Sequence, residues 1–184
     1  MRRRGSWSLD GRPLERVELS DWGRTQRSRI PSPGPGARLE LEVDGLRLST
    51  DVAEDGAAAF AGRHALVTKS QDNDLVWIQD WLCWYHDVHG VTAVVFCENN
   101  STRYTAEDVR AAIAEVPGIE VAVVVDWPYR WGPNGGPKKV WDSDFSQYGM
   151  LENARFRYLR NAAGVINADV DELVLTHDGR TVFE

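Results

Sequence analysis

The chain has 184 residues, 42% hydrophobic and 27% charged, with eight Trp, five Tyr and five Phe. That length suits one core burying roughly 70% of the unfolded surface, and the aromatic content excludes a wholly disordered chain. The formal charge of −7 is uneven: residues 1–38 hold nine Arg against Asp10, Glu15, Glu18 and Asp21, a net of +5, so the remainder carries −12. A body that acidic argues against nucleic acid as the main partner, because phosphate contacts need a basic face. It also supplies carboxylates for a divalent metal. No apolar run approaches the ~20 residues of a membrane span. Residues 1–7 are basic without the apolar stretch of a signal peptide, and two cysteines, Cys83 and Cys97, are too few for a disulfide scaffold. These features lead to the expectation of a cytoplasmic chain with no transmembrane segment.

Residues 1–36 mix Arg, Ser, Pro and Gly without a sustained apolar period and read as a flexible leader. In 37–62, Leu39, Leu41 and Val43 alternate with polar residues before Asp44-Gly45, the signal of a small β-hairpin followed by a linker. From residue 63 to 184 the pattern is that of one main domain. Strands are expected at 64–69, 91–97, 119–125 and 164–168, the second and third as near-continuous Val-rich runs covered on both faces. Helices are expected at 75–88, 106–116 and 145–160. The second starts with the capping box of Thr105 and Asp108; Asp144 and Gln147 are placed to cap the third. The order β-α-β-α-β-loop-α-β implies a Rossmann-like α/β fold, a mainly parallel sheet flanked by helices.

Ligands of such sheets gather at the carboxyl ends of the strands. Those ends supply Thr68, Lys69 and Ser70, then Glu98, Asn99 and Asn100, then Asp126, then Asp169, Asp171 and Glu172. In an extended chain Asp169 and Asp171 would face one side, roughly 6.5–7 Å apart at Cα, with Val170 turned to the core and Glu172 to the other face. That spacing suits Mg²⁺ or Mn²⁺, which take few protein carboxylates and complete an octahedron with phosphate oxygens and water. Other groupings read as structural. Cys83, His86 and His89 are spread too widely around a helix to hold one ion. Asp142 and Asp144 follow a Gly/Pro/Lys loop and suit a helix cap. The aromatics Trp127, Tyr129 and Trp131 either stack on a sugar or pack on the sheet.

Three stretches fall in a familiar order: Tyr85, His86, Gly90 and Val91; Glu98, Asn99, Asn100, Ser101 and Thr102; and Asp169, Asp171 and Glu172 after an apolar strand. Over about residues 63–175 the chain resembles the GT-A glycosyltransferases related to families 2 and 92. The resemblance implies a nucleotide-sugar site, with a UDP- or GDP-linked donor and an unknown acceptor. It implies that Thr68 and Lys69 line the nucleoside pocket and that Glu98, where Asp is usual, accepts from base or ribose beside Asn100. Asp169 would reach ribose or sugar, and Asp171 would ligate Mn²⁺ or Mg²⁺. Gln147 and Asn153 stand where such proteins often carry polar residues. Lys69-Ser-Gln-Asp departs from the usual Lys-Asn-Glu type, and the chain runs 13 residues past Asp171 to Glu184. The expectation is therefore the donor-binding half of such an enzyme, truncated at the carboxyl end and prone to self-associate through an exposed sheet edge. The rival is a non-catalytic remnant acting as a binding or interaction module.

Overall fold

The computed structural model describes residues 5–21, 26–30, 34–130, 134–135, 140–141 and 145–184. It divides into two compact units, Met1–Asp55 and Gly56–Glu184. Among the described residues no helix is long and apolar enough to cross a membrane.

The first unit is all β. Strands β1 (Ser6–Leu9), β2 (Arg12–Pro13), β5 (Arg38–Val43) and β6 (Leu46–Asp51) form one antiparallel sheet in the order β2-β1-β5-β6, and β3 (Glu18–Asp21) pairs with β4 (Gln26–Arg29). The expected hairpin is β5-β6, turning at Asp44-Gly45 with both residues at positive φ (51° and 77°). The expected leader is a correction: the Arg-rich segment enters the same sheet, because β1 pairs along β5 from Ser6↔Glu42 to Leu9↔Leu39. Its physical signal was Asp10-Gly11, a second Asp-Gly pair at positive φ (48° and 74°) that closes β1 onto β2. The boundary expected after residue 36 therefore falls inside this unit.

The second unit is built on a four-stranded parallel sheet. Its strands are β7 (His64–Ser70), β8 (Ala93–Glu98), β9 (Val121–Asp126) and β12 (Gly164–Asn167), in the order β12-β7-β8-β9. Helix α1 (Leu75–His89) links β7 to β8, and α2 (Ala106–Ala114) links β8 to β9. After β9 come two-residue strands β10 (Asn134–Gly135) and β11 (Val140–Trp141), then α3 (Phe145–Arg157), a 3₁₀ turn (Leu159–Asn161) and β12. Segment 56–62, read as linker, belongs to this unit, since Phe60 is fully buried and packs on Tyr158.

Strand alternation sorts the core into two layers. Leu66, Val94, Phe96 and Val124 face α1 and α2, meeting Ile78, Leu82, Tyr85, Val109 and Ile113. Ala65, Val67, Val95 and Cys97 face the other way, onto Met150 and Ala154 of α3. Each large apolar side chain so buried contributes roughly 1.5–3 kcal/mol. The capping box forms as expected: Asp108 N–H donates to Thr105 Oγ1 and Thr105 N–H to Asp108 Oδ2. The end of α1 is fixed by Gly90 in the left-handed conformation (φ 65°), and His86 Nδ1 donates to Val91 O at 2.9 Å. Asp142 and Asp144 lie outside the described residues, as does Trp131.

Candidate functional site

The connections define where a ligand crevice lies. β7 leaves through α1 on one face of the sheet, while β12 is reached through α3 on the opposite face. Adjacent strands whose crossovers run to opposite faces splay their exit loops apart, and that topological switch point is the preferred ligand position. Here it falls between β7 and β12. The loops that meet there follow Lys69 and Ser70 on one side and begin at Asp169 on the other.

Asp169 is half-buried and Asp171 is exposed. The segment is a turn rather than an extended strand end: Glu172 N–H donates to Asp169 O at 2.9 Å, and Asp169 N–H donates to Glu172 Oε2 at 3.1 Å. Glu172 thus braces the turn instead of facing away from it. Val170 does turn into the core, as expected. Burial pushes the Asp169 carboxyl above its ordinary range, and the charges of Glu172 and Asp171 push the same way. A hydrogen bond with Gln147 and the charge of Lys69 pull against them. Gln147, in the first turn of α3, therefore meets Asp169 from the opposite face of the crevice.

Lys69 is only 2% exposed. Alternation puts it on the α3 side of the sheet, beside Cys97 in register on β8. Burial pushes the Cys97 thiol up to about 12, with the Lys69 charge pulling it down. Thr68 points to the other face and is wholly buried among the α1 layer, its Oγ1 without a hydrogen-bond partner among the described residues. It lies under the surface at β7, not at the crevice wall.

Glu98 and Asn100 belong to the neighbouring loop, and both are engaged in building it. Glu98, 5% exposed, accepts from Ser101 N–H through Oε1 at 2.7 Å and from Asn100 N–H through Oε2 at 3.1 Å. Asn100 is exposed with φ 59°, and its carbonyl accepts from Gln71. Asn99 ties the loop to the next strand's exit, donating to Trp127 O at 2.6 Å and Tyr129 O at 2.7 Å. The sequence reading quoted Asp72 only as the end of Lys69-Ser-Gln-Asp and missed its role in organising the loop after β7: Thr102 N–H and Arg103 N–H donate to its carboxylate, and its own N–H donates to Ser101 Oγ. A single Asp after a strand carries no periodic signal, so nothing in the pattern singled it out.

For Trp127, the reading left open by the sequence is decided by contacts. Trp127 packs on α3, donating through Nε1 to the buried Ser146 at 3.1 Å and approaching Gly149. It is part of the scaffold, while Tyr129 remains exposed beside it. His86 Nδ1 and both ring nitrogens of His89 bond backbone atoms of different segments. No group of three or more His, Cys, Asp or Glu side chains is arranged to hold a metal among the described residues.

The class these features define is a parallel α/β unit with a carboxylate-rich turn and a buried lysine meeting at the switch point of its sheet. No family model, curated protein or solved structure matches the chain.

Proposed function

We propose that residues 56–184 form a GT-A-like unit that binds a nucleoside-diphosphate sugar in the β7–β12 crevice and serves glycosyl transfer to an unknown acceptor. The observation that carries this reading is the meeting of Lys69, Gln147 and the 169–172 turn at the switch point of the sheet. Asp171 offers an exposed carboxylate, and one such ligand is the kind of donor set Mn²⁺ or Mg²⁺ uses when phosphate oxygens and water complete its shell. When bound, that ion would neutralise charge on the departing nucleoside diphosphate. Asp169 accepts a hydroxyl of ribose or sugar; Gln147 orients its carboxylate and Lys69 favours its ionised form.

Calorimetric titration of the full chain with UDP and GDP tests the reading. Binding is expected to tighten at least tenfold when Mn²⁺ or Mg²⁺ replaces chelator. Asp171→Ala should abolish that increment and leave the metal-free affinity alone, whereas Asp169→Ala should weaken binding under both conditions. Equal affinity with and without metal in the parent chain refutes the donor site.

One observation favours a second reading, a non-catalytic binding module. The Glu98 carboxylate that would receive base or ribose is committed to Asn100 and Ser101 of its own loop. Metal-dependent nucleotide binding without release of nucleoside diphosphate from UDP- or GDP-sugars would select that reading.

A further inference from the structure

Beyond the 169–172 turn the chain runs back over the end of α1, and two α1 side chains fasten it there. Tyr85 OH donates to Glu172 O at 3.2 Å and accepts from Val174 N–H at 3.1 Å. His89, fully buried, uses both ring nitrogens: Nε2 lies 2.8 Å from Val174 O, and Val182 N–H points at Nδ1 from 3.3 Å. These four bonds cross 85 to 93 residues of sequence. Phe183 completes the attachment, stacked on His64 with ring centroids 3.8 Å apart and lying against Gly164.

The chemistry of the partners fixes the state of His89. A carbonyl oxygen only accepts, so Nε2 must carry hydrogen. A backbone N–H only donates, so Nδ1 must be bare. The ring is therefore the neutral Nε2–H tautomer. An imidazolium carries hydrogen on both nitrogens, and its Nδ1–H would confront the Val182 N–H, setting two donors against each other at a fully buried ring.

We propose that residues 172–183 form a pH-gated strap: neutral His89 holds it against α1, and protonation of Nδ1 releases it. The sign follows from the bonds. The strap is tightest with His89 neutral and loosens when acidification puts a second proton on the ring. The carboxyl end of α1 attracts the imidazolium charge, but this attraction supplies no acceptor for the second proton. Ionisable groups on the surrounding elements are Tyr85, His86 and Asp87 on α1, Glu172, His177, Asp178 and Arg180 on the strap, Glu184 just beyond it, and His64 at the start of β7. Tyr85 is in ring contact with His89, and Asp178 is engaged with Arg180. His86 is turned to Val91 O, and Glu184 accepts from Thr181 N–H. Because the strap starts at Glu172, whose carboxylate braces Asp169, release loosens the 169–172 turn as well. The proposal does not depend on what that turn binds.

Hydrogen-exchange mass spectrometry of the full chain at pH 8.0 and 5.5, read as protection factors so that intrinsic rates cancel, tests it. Protection in peptides spanning 173–183 is expected to fall at least tenfold at the lower pH, while that of β8 holds. His89→Gln, which keeps a neutral amide donor, should remove the pH response. His64→Gln and Tyr85→Phe should retain it, the latter from a lower starting protection. Should His89→Gln not fold, the parent chain still decides: ¹⁵N spectra of the His89 ring must show the Nε2–H tautomer at pH 8.0, and its titration midpoint must coincide with the loss of strap protection. Equal strap protection at both pH values overturns the proposal. So does a loss that β8 shares, a response that survives His89→Gln, or one that His64→Gln removes.

Discussion

Replacing Glu98 by Ala separates a carboxylate built into the fold from one reserved for a ligand. The side chain is almost wholly buried and holds two backbone N–H groups, at 2.7 Å from Ser101 and 3.1 Å from Asn100. Hydrogen bonds to a charged acceptor contribute about 1.5–3 kcal/mol each. The Asn100 residue is exposed, so its N–H recovers water when the carboxylate goes, and its longer bond adds little. The Ser101 bond dominates, giving a loss of about 2–3 kcal/mol for Glu98→Ala. Glu98→Gln keeps one oxygen for Ser101 but loses the charge, for a cost of about 1 kcal/mol. At roughly 3 °C per kcal/mol in a unit of this size, the thermal midpoints should drop by about 6–9 °C and 3 °C. Circular dichroism melts, supported by urea titrations, measure both. A shift under about 1 °C for Glu98→Ala, accompanied by loss of nucleotide affinity, would refute the loop-building role and return Glu98 to the ligand.

Three further outcomes are expected. With its thiol pushed up to about 12 and its side chain buried, Cys97 should resist iodoacetamide at pH 8 in the native state while half-buried Cys83 reacts; a second native adduct by mass spectrometry contradicts this. Gly118→Ala should cost about 2 kcal/mol or more in urea unfolding, because φ is +82° and a Cβ would run into the His86 ring; a neutral result means the turn repacks. Hydrogen bonds from the Thr105 backbone and side chain hold the Asp108 carboxyl below its ordinary range, so its stabilising effect is present above the unfolded value and lost as pH falls through the folded one. Asp108→Asn should therefore flatten part of the acid limb of stability against pH, and an unchanged limb refutes the assignment.

Much of the second unit is legible in the sequence. The Val-rich runs at 91–97 and 119–125 became β8 and β9 with boundaries shifted by one or two residues, because strands buried on both faces must be apolar throughout. The α1 stripe of Leu75, Ile78, Leu82 and Tyr85 faces the core as its spacing requires. In the first unit the 37–62 hairpin was legible, but residues 1–36 were misread because composition outweighed a local signal: Asp10-Gly11 carries the same hairpin chemistry as Asp44-Gly45, but lies among arginines whose side chains tolerate exposed strands. At the site, alternation placed Val170 correctly yet failed for Glu172. An i to i+3 turn reverses the chain there, and a carboxylate three residues on can reach back to the Asp169 N–H. Periodicity describes regular backbone, so it is silent where the backbone turns.

The same distinction bears on the three stretches that carry the family resemblance. In the first, Gly90 supplies the left-handed cap, His86 bonds Val91 O across it, and Tyr85 fastens the strap; each residue type answers a demand of the helix end. In the second, Glu98, Asn99, Ser101 and Thr102 close the loop upon itself, upon Asp72 and upon the exit of β9. Both stretches thus serve to fix the corners of this unit's β-α-β turns. The third places an exposed carboxylate, Asp171, beside a second, Asp169, whose ionisation is contested by its surroundings; the first stretch also exposes a carboxylate, at Asp87. Asp171 makes no hydrogen bond among the described residues. The functional reading therefore rests on Asp171 and on the Lys69–Asp169–Gln147 group behind it, and substitutions there should separate ligand binding from stability, whereas substitutions in the first two stretches should not.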